Sequence, residues 1–320
     1  MSQFGHFTRR TIDTPTGAAV NLHRLGPEQP RGVMLVFHGL AEHSARYEAV
    51  GRVFAQAGLA VFAHDHRGHG STVAQDAPLR RFARKDGVKK VLADCKAVLD
   101  LASNAYPGRP VFVLGHSMGG LIALNFAERH GAALSGLAVW NCDFRSGLTL
   151  KAGRLALAVE KALKGSDVAS ELFRRAMFEA WGRAIKDRRT PFDWLSHDAH
   201  AVEAYRSDPL CGFTPTISMM EDIIELIREG GSQEAMLRLP KNLPVHLLGG
   251  TADPVTEGGK ALIWLDERLR GAGLSDVTLQ IVEGARHETL NEIDAYREPA
   301  LQSLMAWLDR CLEAPRRAAG

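Results

Sequence analysis

The sequence predicts an α/β fold in which helices cover both faces of a mostly parallel β-sheet. Short apolar runs alternate with longer segments whose apolar residues recur every three or four positions, as strands and helices do. Val33–Phe37 is apolar throughout, which is typical of a strand buried on both faces. The long region 142–216 shows helical patterns and no convincing strand, and it is too long for a simple connection. We interpret it as a helical insertion.

Eight strands and five helices outside the insertion follow from these patterns. The strands are expected at Phe7–Asp13, Ala18–Leu25, Val33–Phe37, Leu59–Ala63, Val111–Leu114, Leu137–Trp140, Val245–Leu248 and Val277–Val282. The helices are expected at Tyr47–Ala57, Gly87–Asn104, Met118–His130, Gly259–Arg270 and Tyr296–Leu312. The predicted organisation is therefore a first core part at 1–141, the insertion at 142–216 and a second core part at 217–320.

The composition excludes several classes of protein. The 320 residues carry 39 basic and 37 acidic side chains, a formal net charge of +2, so we expect no nucleic-acid partner. The four cysteines lie far apart without a C-x-x-C pair, which predicts reduced thiols and neither a zinc site nor a redox motif. We expect no cofactor and no metal. The sequence shows neither a signal peptide nor a membrane-spanning run, so we predict a cytoplasmic protein.

A nucleophile motif stands between a predicted strand and a predicted helix. Gly115–His116–Ser117–Met118–Gly119 fits the pattern G-x-S-x-G, and it comes directly after the strand Val111–Leu114. Such a sharp turn strains the backbone of the serine, and the flanking glycines leave room for it. The bare pattern occurs by chance in many proteins, whereas this strand–turn–helix context favours Ser117 as the nucleophile of an acyl-transfer reaction.

A serine nucleophile needs a histidine base and a carboxylate that orients the imidazole, here in the chain order serine, acid, histidine. Asp253 follows the strand Val245–Leu248, and His287 follows the last strand, Val277–Val282. We therefore predict the triad Ser117, Asp253 and His287. The acids that compete with Asp253 are Glu257, Glu283 and Glu288.

The oxyanion of the reaction intermediate needs two backbone N–H donors. The first should come from Met118, directly after the nucleophile. The second is expected from Leu40, in the segment His38–His43 that follows the strand Val33–Phe37. The His38–Gly39 pair there lets the backbone turn close to the nucleophile.

The insertion contains an amphipathic helix. Its apolar stripe consists of Leu148, Ala152, Leu155, Val159 and Leu163. Most of the other face is basic, with Lys151, Arg154, Lys161 and Lys164. We favour a helix that covers the active site and exposes its polar face; peripheral docking on a membrane is the alternative. Eight residues could line an acyl pocket or fill the interior of the insertion: Phe144, Leu148, Leu155, Phe173, Phe178, Trp181, Phe192 and Trp194.

Six blocks of sequence together resemble the monoglyceride lipase and lysophospholipase branch of the α/β-hydrolases, which is also grouped with serine aminopeptidases. They are His38–His43 with Arg46–Tyr47, Asp65–Gly70, Gly115–Gly120, Ser207–Leu210, Gly249–Asp253 and Gly284–Glu288. The resemblance implies an eight-stranded α/β-hydrolase fold with a helical cap after the sixth strand. It also implies hydrolysis of carboxylic esters, with monoacylglycerols or lysophospholipids as substrates. Ser117, Asp253 and His287 would take the catalytic roles, and Leu40 and Met118 would donate to the oxyanion.

Alternative functions stay open at this point. A small-ester carboxylesterase or a peptidase could use the same triad, and a non-catalytic scaffold is the remote alternative. An aminopeptidase would need clustered acids in the cap to hold the substrate amine, but the acids there are scattered, at Glu160, Asp167, Glu171 and Glu179. The segment Asp65–Gly70 contains Asp and His residues, and we interpret it as a structural loop because no partner ligands recur at a suitable spacing.

Overall fold

The computed structural model describes residues 5–313, apart from the side chain of Thr149; residues 1–4 and 314–320 lie outside the described part. In this described part, nine strands form one sheet in the order β1-β2-β4-β3-β6-β7-β8-β9, with β5 paired to β2. They are β1 Thr8–Asp13, β2 Ala18–Leu25, β3 Gly32–Phe37, β4 Leu59–His64, β5 Val73–Ala74, β6 Val111–His116, β7 Gly136–Trp140, β8 Val245–Gly250 and β9 Val277–Val282. The neighbours from β4 to β9 along this order pair in parallel, and β1, β2 and β5 pair antiparallel.

Eleven α-helical segments are assigned within residues 5–313. They are α1 Glu48–Gln56, α2 Gly87–Ala105, α3 Met118–His130, α4 Leu148–Lys164, α5 Glu171–Phe173, α6 Glu179–Ala184, α7 Ala199–Ser207, α8 Ile217–Gly230, α9 Gln233–Leu237, α10 Lys260–Gly271 and α11 Asp294–Glu313. A π-helical turn, Arg174–Phe178, joins α5 to α6. Residues of α2, α3, α8 and α10 pack on one face of the sheet, and residues of α1 and α11 pack on the other.

The expected α/β-hydrolase architecture is confirmed, with a corrected strand count. Alternate residues of β3 enter the cores on opposite faces of the sheet, because the side chains of a strand point alternately to its two sides. The count of eight is wrong because β5, with two residues, is too short to show a periodic pattern. The helices α8 and α9 fill the segment 217–237, for which the sequence patterns above predict no element.

The helix α4 faces the opposite way from the favoured prediction. Its buried side consists of Leu157 and Glu160, with Leu150 and Ala156 partly buried. The predicted apolar stripe points away from the protein instead: Leu148, Leu155, Val159 and Leu163 are 83%, 70%, 53% and 79% exposed. The prediction that this stripe covers the active site is therefore wrong. The limits of the insertion, 142–216, stay a prediction.

Candidate active site

The turn between β6 and α3 holds Ser117 in a backbone conformation that few side chains adopt, with φ 55° and ψ −121°. Its N–H donates to the carbonyl of Trp140 at 2.9 Å. A Cβ at Gly115 would lie 2.2 Å from the carbonyl oxygen of Gly119, and a Cβ at Gly119 would lie 2.0 Å from that of Phe37. These positions therefore require glycine. The turn leaves Ser117 partly exposed, although its immediate neighbours in the chain are buried.

The structure brings the predicted triad residues together from three loops at the carboxyl edge of the sheet. Ser117 Oγ lies 2.9 Å from Nε2 of His287. The other ring nitrogen of His287, Nδ1, lies 3.1 Å from each carboxylate oxygen of Asp253. With the proton on Nδ1, the imidazole donates to Asp253 and presents a free lone pair to the serine hydroxyl. This is the arrangement that activates a serine for attack.

Asp253 is held as a carboxylate although it is 1% exposed. Burial alone would raise the pKa of Asp253, but His287, the amide of Asn141 and the backbone N–H of Val255 hold the pKa below its usual value. Asn141 donates at 3.1 Å, Val255 N–H at 2.9 Å and the hydroxyl of Thr256 at 3.0 Å. The competing acids are placed elsewhere, since Glu257 and Glu283 are exposed and Glu288 pairs with a different partner.

The loop after β3 approaches the nucleophile closely enough to supply an oxyanion donor. A Cβ at Gly39 would lie 3.4 Å from Cβ of Ser117 and 2.7 Å from a carboxylate oxygen of Glu42. Within residues 5–313, the backbone N–H groups of Leu40 and Met118 have no protein acceptor. Both predicted donors are therefore free to bind an oxyanion, and their role stays a prediction.

Several residues at the site were not predicted from the sequence. The imidazole of His116, next to Ser117 in the chain, lies 4.9 Å from the ring of His287 and contacts the backbone carbonyl of His287 at 2.9 Å. Arg46 and Glu288 form a buried ion pair beside the triad. All three residues lie in the sequence blocks that carry the family resemblance. This was the signal in the sequence that could have pointed to their place in the site.

Trp194, from the region 142–216, packs against the base. Its ring centroid lies 5.2 Å from that of His287 and 4.9 Å from that of Trp181. Among the residues proposed for an acyl pocket, Phe178, Trp181, Phe192 and Trp194 share one apolar cluster next to the triad. Leu148 and Leu155 are exposed, so their placement in a pocket or in the interior is wrong.

Two groups of side chains present donors of the kind that bind metal ions: His64, His66 and Cys95, and His43, Asp208 and Cys211. In the first group, Nδ1 of His64 and Nε2 of His66 have no hydrogen-bond partner among residues 5–313. A metal-bound histidine almost always donates its other N–H to an acceptor, so this cluster lacks the support that a metal site needs. In the segment 65–70, the carboxylate of Asp65 accepts from Asn21, Ser44 and Ser71, which is a structural role.

In this parallel sheet, a strained serine lies between a strand and a helix, and loops after later strands supply the histidine and the aspartate. This arrangement defines an α/β-hydrolase. The model of the serine aminopeptidase S33 family matches residues 28–294, and the chain belongs to this family. Human monoglyceride lipase is 28% identical over 289 residues, which cover 88% of this chain and 83% of the lipase. Monoacylglycerol lipase of Mycolicibacterium smegmatis is 29% identical over 286 residues, which cover 87% of this chain and 88% of that lipase.

The similarity extends to solved structures. A thermostable carboxyl esterase from Bacillus coagulans, crystallised with glycerol, superposes with a TM-score of 0.84 at 25% identity, covering 96% of this chain and 99% of the esterase. The expected membership of the monoglyceride lipase branch is confirmed, and so is the expected general activity, carboxylic ester hydrolysis.

Proposed function

We propose that this protein hydrolyses lipid esters through an acyl-enzyme on Ser117. The observation that carries the proposal is the hydrogen-bonded chain from Ser117 Oγ to His287 at 2.9 Å and from His287 to Asp253 at 3.1 Å. This chain supplies the nucleophile, the base and the group that orients the base. A partly exposed serine at its end is open to a substrate carbonyl.

The reaction follows from this geometry. As Ser117 Oγ attacks the ester carbonyl, Nε2 of His287 takes the hydroxyl proton, and Asp253 stabilises the imidazolium that forms. The N–H groups of Leu40 and Met118 bind the oxyanion; in such sites one donor is worth about 3 kcal/mol of transition-state stabilisation. The imidazolium then protonates the leaving alcohol. A water molecule repeats the sequence on the acyl-enzyme and releases the acid.

The substrate class we propose is a monoacylglycerol or a lysophospholipid. Its support is the similarity to monoglyceride lipases over most of the chain, together with the apolar cluster that includes Trp181 and Trp194 beside the base. An apolar wall next to the reacting carbonyl favours a substrate with a hydrophobic chain.

A panel of esters tests this proposal. Activity is measured on p-nitrophenyl esters of increasing acyl length, on monoacylglycerols and on lysophosphatidylcholine, with Ser117→Ala as the inactive control. We expect kcat/KM to rise with the acyl-chain length of the p-nitrophenyl esters. We also expect the protein to hydrolyse either the monoacylglycerols or lysophosphatidylcholine. Activity confined to acetate and butyrate esters would instead identify a small-ester carboxylesterase, and full activity of Ser117→Ala would refute the mechanism.

The peptidase alternative finds no support in the charges of the region 142–216. Glu160 contacts Lys164, Asp167 contacts Arg81, and Glu171 and Glu179 both contact Arg174. Each of these four acids is therefore already paired with a cation, which leaves none of them free to hold a substrate amine. Aminoacyl anilides test this alternative directly, and we expect no turnover of them.

We also propose that the exposed stripe of α4 docks on a lipid surface. Four large apolar side chains on one helix face, Leu148, Leu155, Val159 and Leu163, are exposed, which is costly in water. Lys151 and Arg154 on the same helix can contact anionic headgroups, whereas Lys161 and Lys164 pair with Glu221 and Glu160. Within residues 5–313, no helix is long and apolar enough to cross a bilayer, so the contact would be peripheral. Cytoplasmic location stays a prediction.

Vesicle sedimentation tests the docking. We expect binding to phosphatidylcholine vesicles that contain phosphatidylglycerol, and loss of binding in Leu155→Glu. The matched control is Ile263→Glu, at an exposed apolar position on α10, which should bind like the wild type. Equal effects of both substitutions would contradict the proposal. A dimer in sedimentation velocity that Leu155→Glu dissociates would assign the stripe to a second copy of the chain instead.

A further inference from the structure

A buried cluster of charges connects the catalytic histidine to the oxyanion loop, which we define as residues 38–47. Both carboxylate oxygens of Glu288 accept hydrogen bonds from the guanidinium of Arg46, at 2.6 and 2.7 Å. Arg46 also donates to Glu42 at 2.5 Å. The side chains of Arg46 and Glu288 are only 11% and 5% exposed, so this pair is largely removed from water. The mechanism above uses neither residue.

Glu288 directly follows His287, and the backbone around both residues is held from two sides. The N–H of His287 donates to Trp194 O at 3.3 Å, and the N–H of Glu288 donates to Leu195 O at 2.7 Å. The carbonyl of His287 accepts from Nε2 of His116 at 2.9 Å. The ion pair adds a side-chain attachment to these backbone contacts, one residue from the base.

The other end of the ion pair holds the oxyanion loop. The carboxylate of Glu42, which Arg46 contacts, accepts the N–H of Gly39 at 2.5 Å and the hydroxyl of Tyr47 at 2.8 Å. Gly39 directly precedes Leu40, the expected oxyanion donor. A displacement of Arg46 would therefore move the loop that presents this donor to the substrate.

The form of the contact indicates a geometric role. Two parallel hydrogen bonds between a guanidinium and a carboxylate fix the mutual orientation of both groups. Buried ion pairs can often be replaced by apolar side chains at little cost in stability, so stability alone does not explain the pair. We propose that Arg46 and Glu288 are positioning residues that hold the imidazole of His287 and the backbone donor of Leu40 in register around Ser117. This inference rests on the catalytic roles proposed above.

The remaining charges of the cluster allow a clean test. Burial alone would lower the pKa of His116, but the carboxylates of Glu42 and Glu288 raise it. Nδ1 of His116 lies 3.7 Å from Glu42, a charge contact longer than a hydrogen bond. Removing Arg46 and Glu288 together takes away one charge of each sign and leaves Glu42 facing His116. The double variant Arg46→Met/Glu288→Leu therefore deletes the positioning contact. Glu42 loses its contact with Arg46 but keeps the N–H of Gly39, the hydroxyl of Tyr47 and the charge contact with His116.

The experiment compares this double variant with Glu288→Gln and with Glu229→Gln, which removes one partner of the more exposed Arg129–Glu229 pair. The substrate is p-nitrophenyl butyrate, which is soluble and independent of membrane contact. For the double variant we expect a melting temperature and a KM close to wild type and a kcat lower by about 10- to 100-fold, the scale of small misplacements in an active site. Fluorophosphonate labelling of Ser117 should slow in parallel, whereas Glu229→Gln should match the wild type.

Each outcome decides the proposal. A folded double variant with wild-type kcat would overturn it, because the active site would then keep its geometry without the pair. If the double variant fails to fold, Glu288→Gln is assayed below its melting temperature. A wild-type kcat of Glu288→Gln would then overturn the proposal. If Ser117→Ala is inactive while both pair variants retain kcat, the positioning role alone is wrong. If Ser117→Ala retains activity, the proposed function itself fails.

Discussion

Replacing Glu128 by glutamine should make the stability of this protein less sensitive to pH. Glu128 lies in the last turns of α3 and is 3% exposed. In the described part of the chain, neither of its carboxylate oxygens has a hydrogen-bond partner. Burial raises the pKa of Glu128 to about 9, although the nearby cations Arg238 and Arg129 oppose the rise. The folded protein therefore keeps this carboxyl protonated at neutral pH, while the unfolded chain ionises it near 4.5.

The sign and size of the effect follow from this difference. Because the pKa is higher in the folded state, the contribution of Glu128 to stability is fully present below pH 4.5 and is lost as the pH rises towards 9. Each pH unit in this window changes the free energy of unfolding by about 1.4 kcal/mol, so the change between pH 5 and pH 7 is about 3 kcal/mol. A glutamine cannot ionise and lacks this dependence.

The assay is urea unfolding at pH 5, 6, 7 and 8 for the wild type, Glu128→Gln and the control Glu234→Gln, an exposed glutamate on α9. The free-energy difference between Glu128→Gln and wild type should shift in favour of the variant by about 3 kcal/mol from pH 5 to pH 7. The free-energy difference between Glu234→Gln and wild type should not change with pH. The cost of burying an amide does not depend on pH, so it does not affect the slope of the unfolding free energy against pH. Parallel plots of this free energy for wild type and Glu128→Gln would refute the reasoning.

Two further predictions concern the active site. Asp253→Asn should lower kcat by about 10⁴-fold while the protein stays folded, since an amide cannot hold the same tautomer of His287; kinetics with circular dichroism check this, and a loss below tenfold would contradict the assigned role. Gly39→Ala should lower kcat for short esters, because the new methyl group would lie 2.7 Å from Glu42 and 3.4 Å from Cβ of Ser117. Unchanged kcat in a folded Gly39→Ala variant would show that the loop can move without loss of function.

The location of the candidate triad could be predicted from the sequence because it depends on local rules. Ser117, Asp253 and His287 each follow a strand that is recognisable from a short apolar run. In a parallel sheet the carboxyl ends of the strands meet at one edge, so residues 170 positions apart come within reach of each other. Chain order and strand ends therefore carry enough information to select these three side chains.

The surroundings of the triad could not be predicted in this way. The contact between Arg46 and Glu288 joins residues that are 242 positions apart, and no periodicity records such a pairing. The same holds for Asn141, whose amide reaches Asp253 from the end of β7. The helix α8 was missed although a recognisable start was present, since Thr216 accepts a hydrogen bond from the N–H of Met219 as an N-cap residue does.

The helix α4 separates what the sequence determined from what the tertiary structure decided. The spacing of Leu148, Leu155, Val159 and Leu163 determined that these side chains share one face of a helix, because helical periodicity is a property of the chain itself. Which face the rest of the protein covers depends on its neighbours. Leu157 and Glu160 are buried instead, and the apolar stripe is left exposed. The position of the candidate nucleophile Ser117 could therefore be predicted from local patterns, whereas the surface that would meet a lipid exists only once the chain is packed.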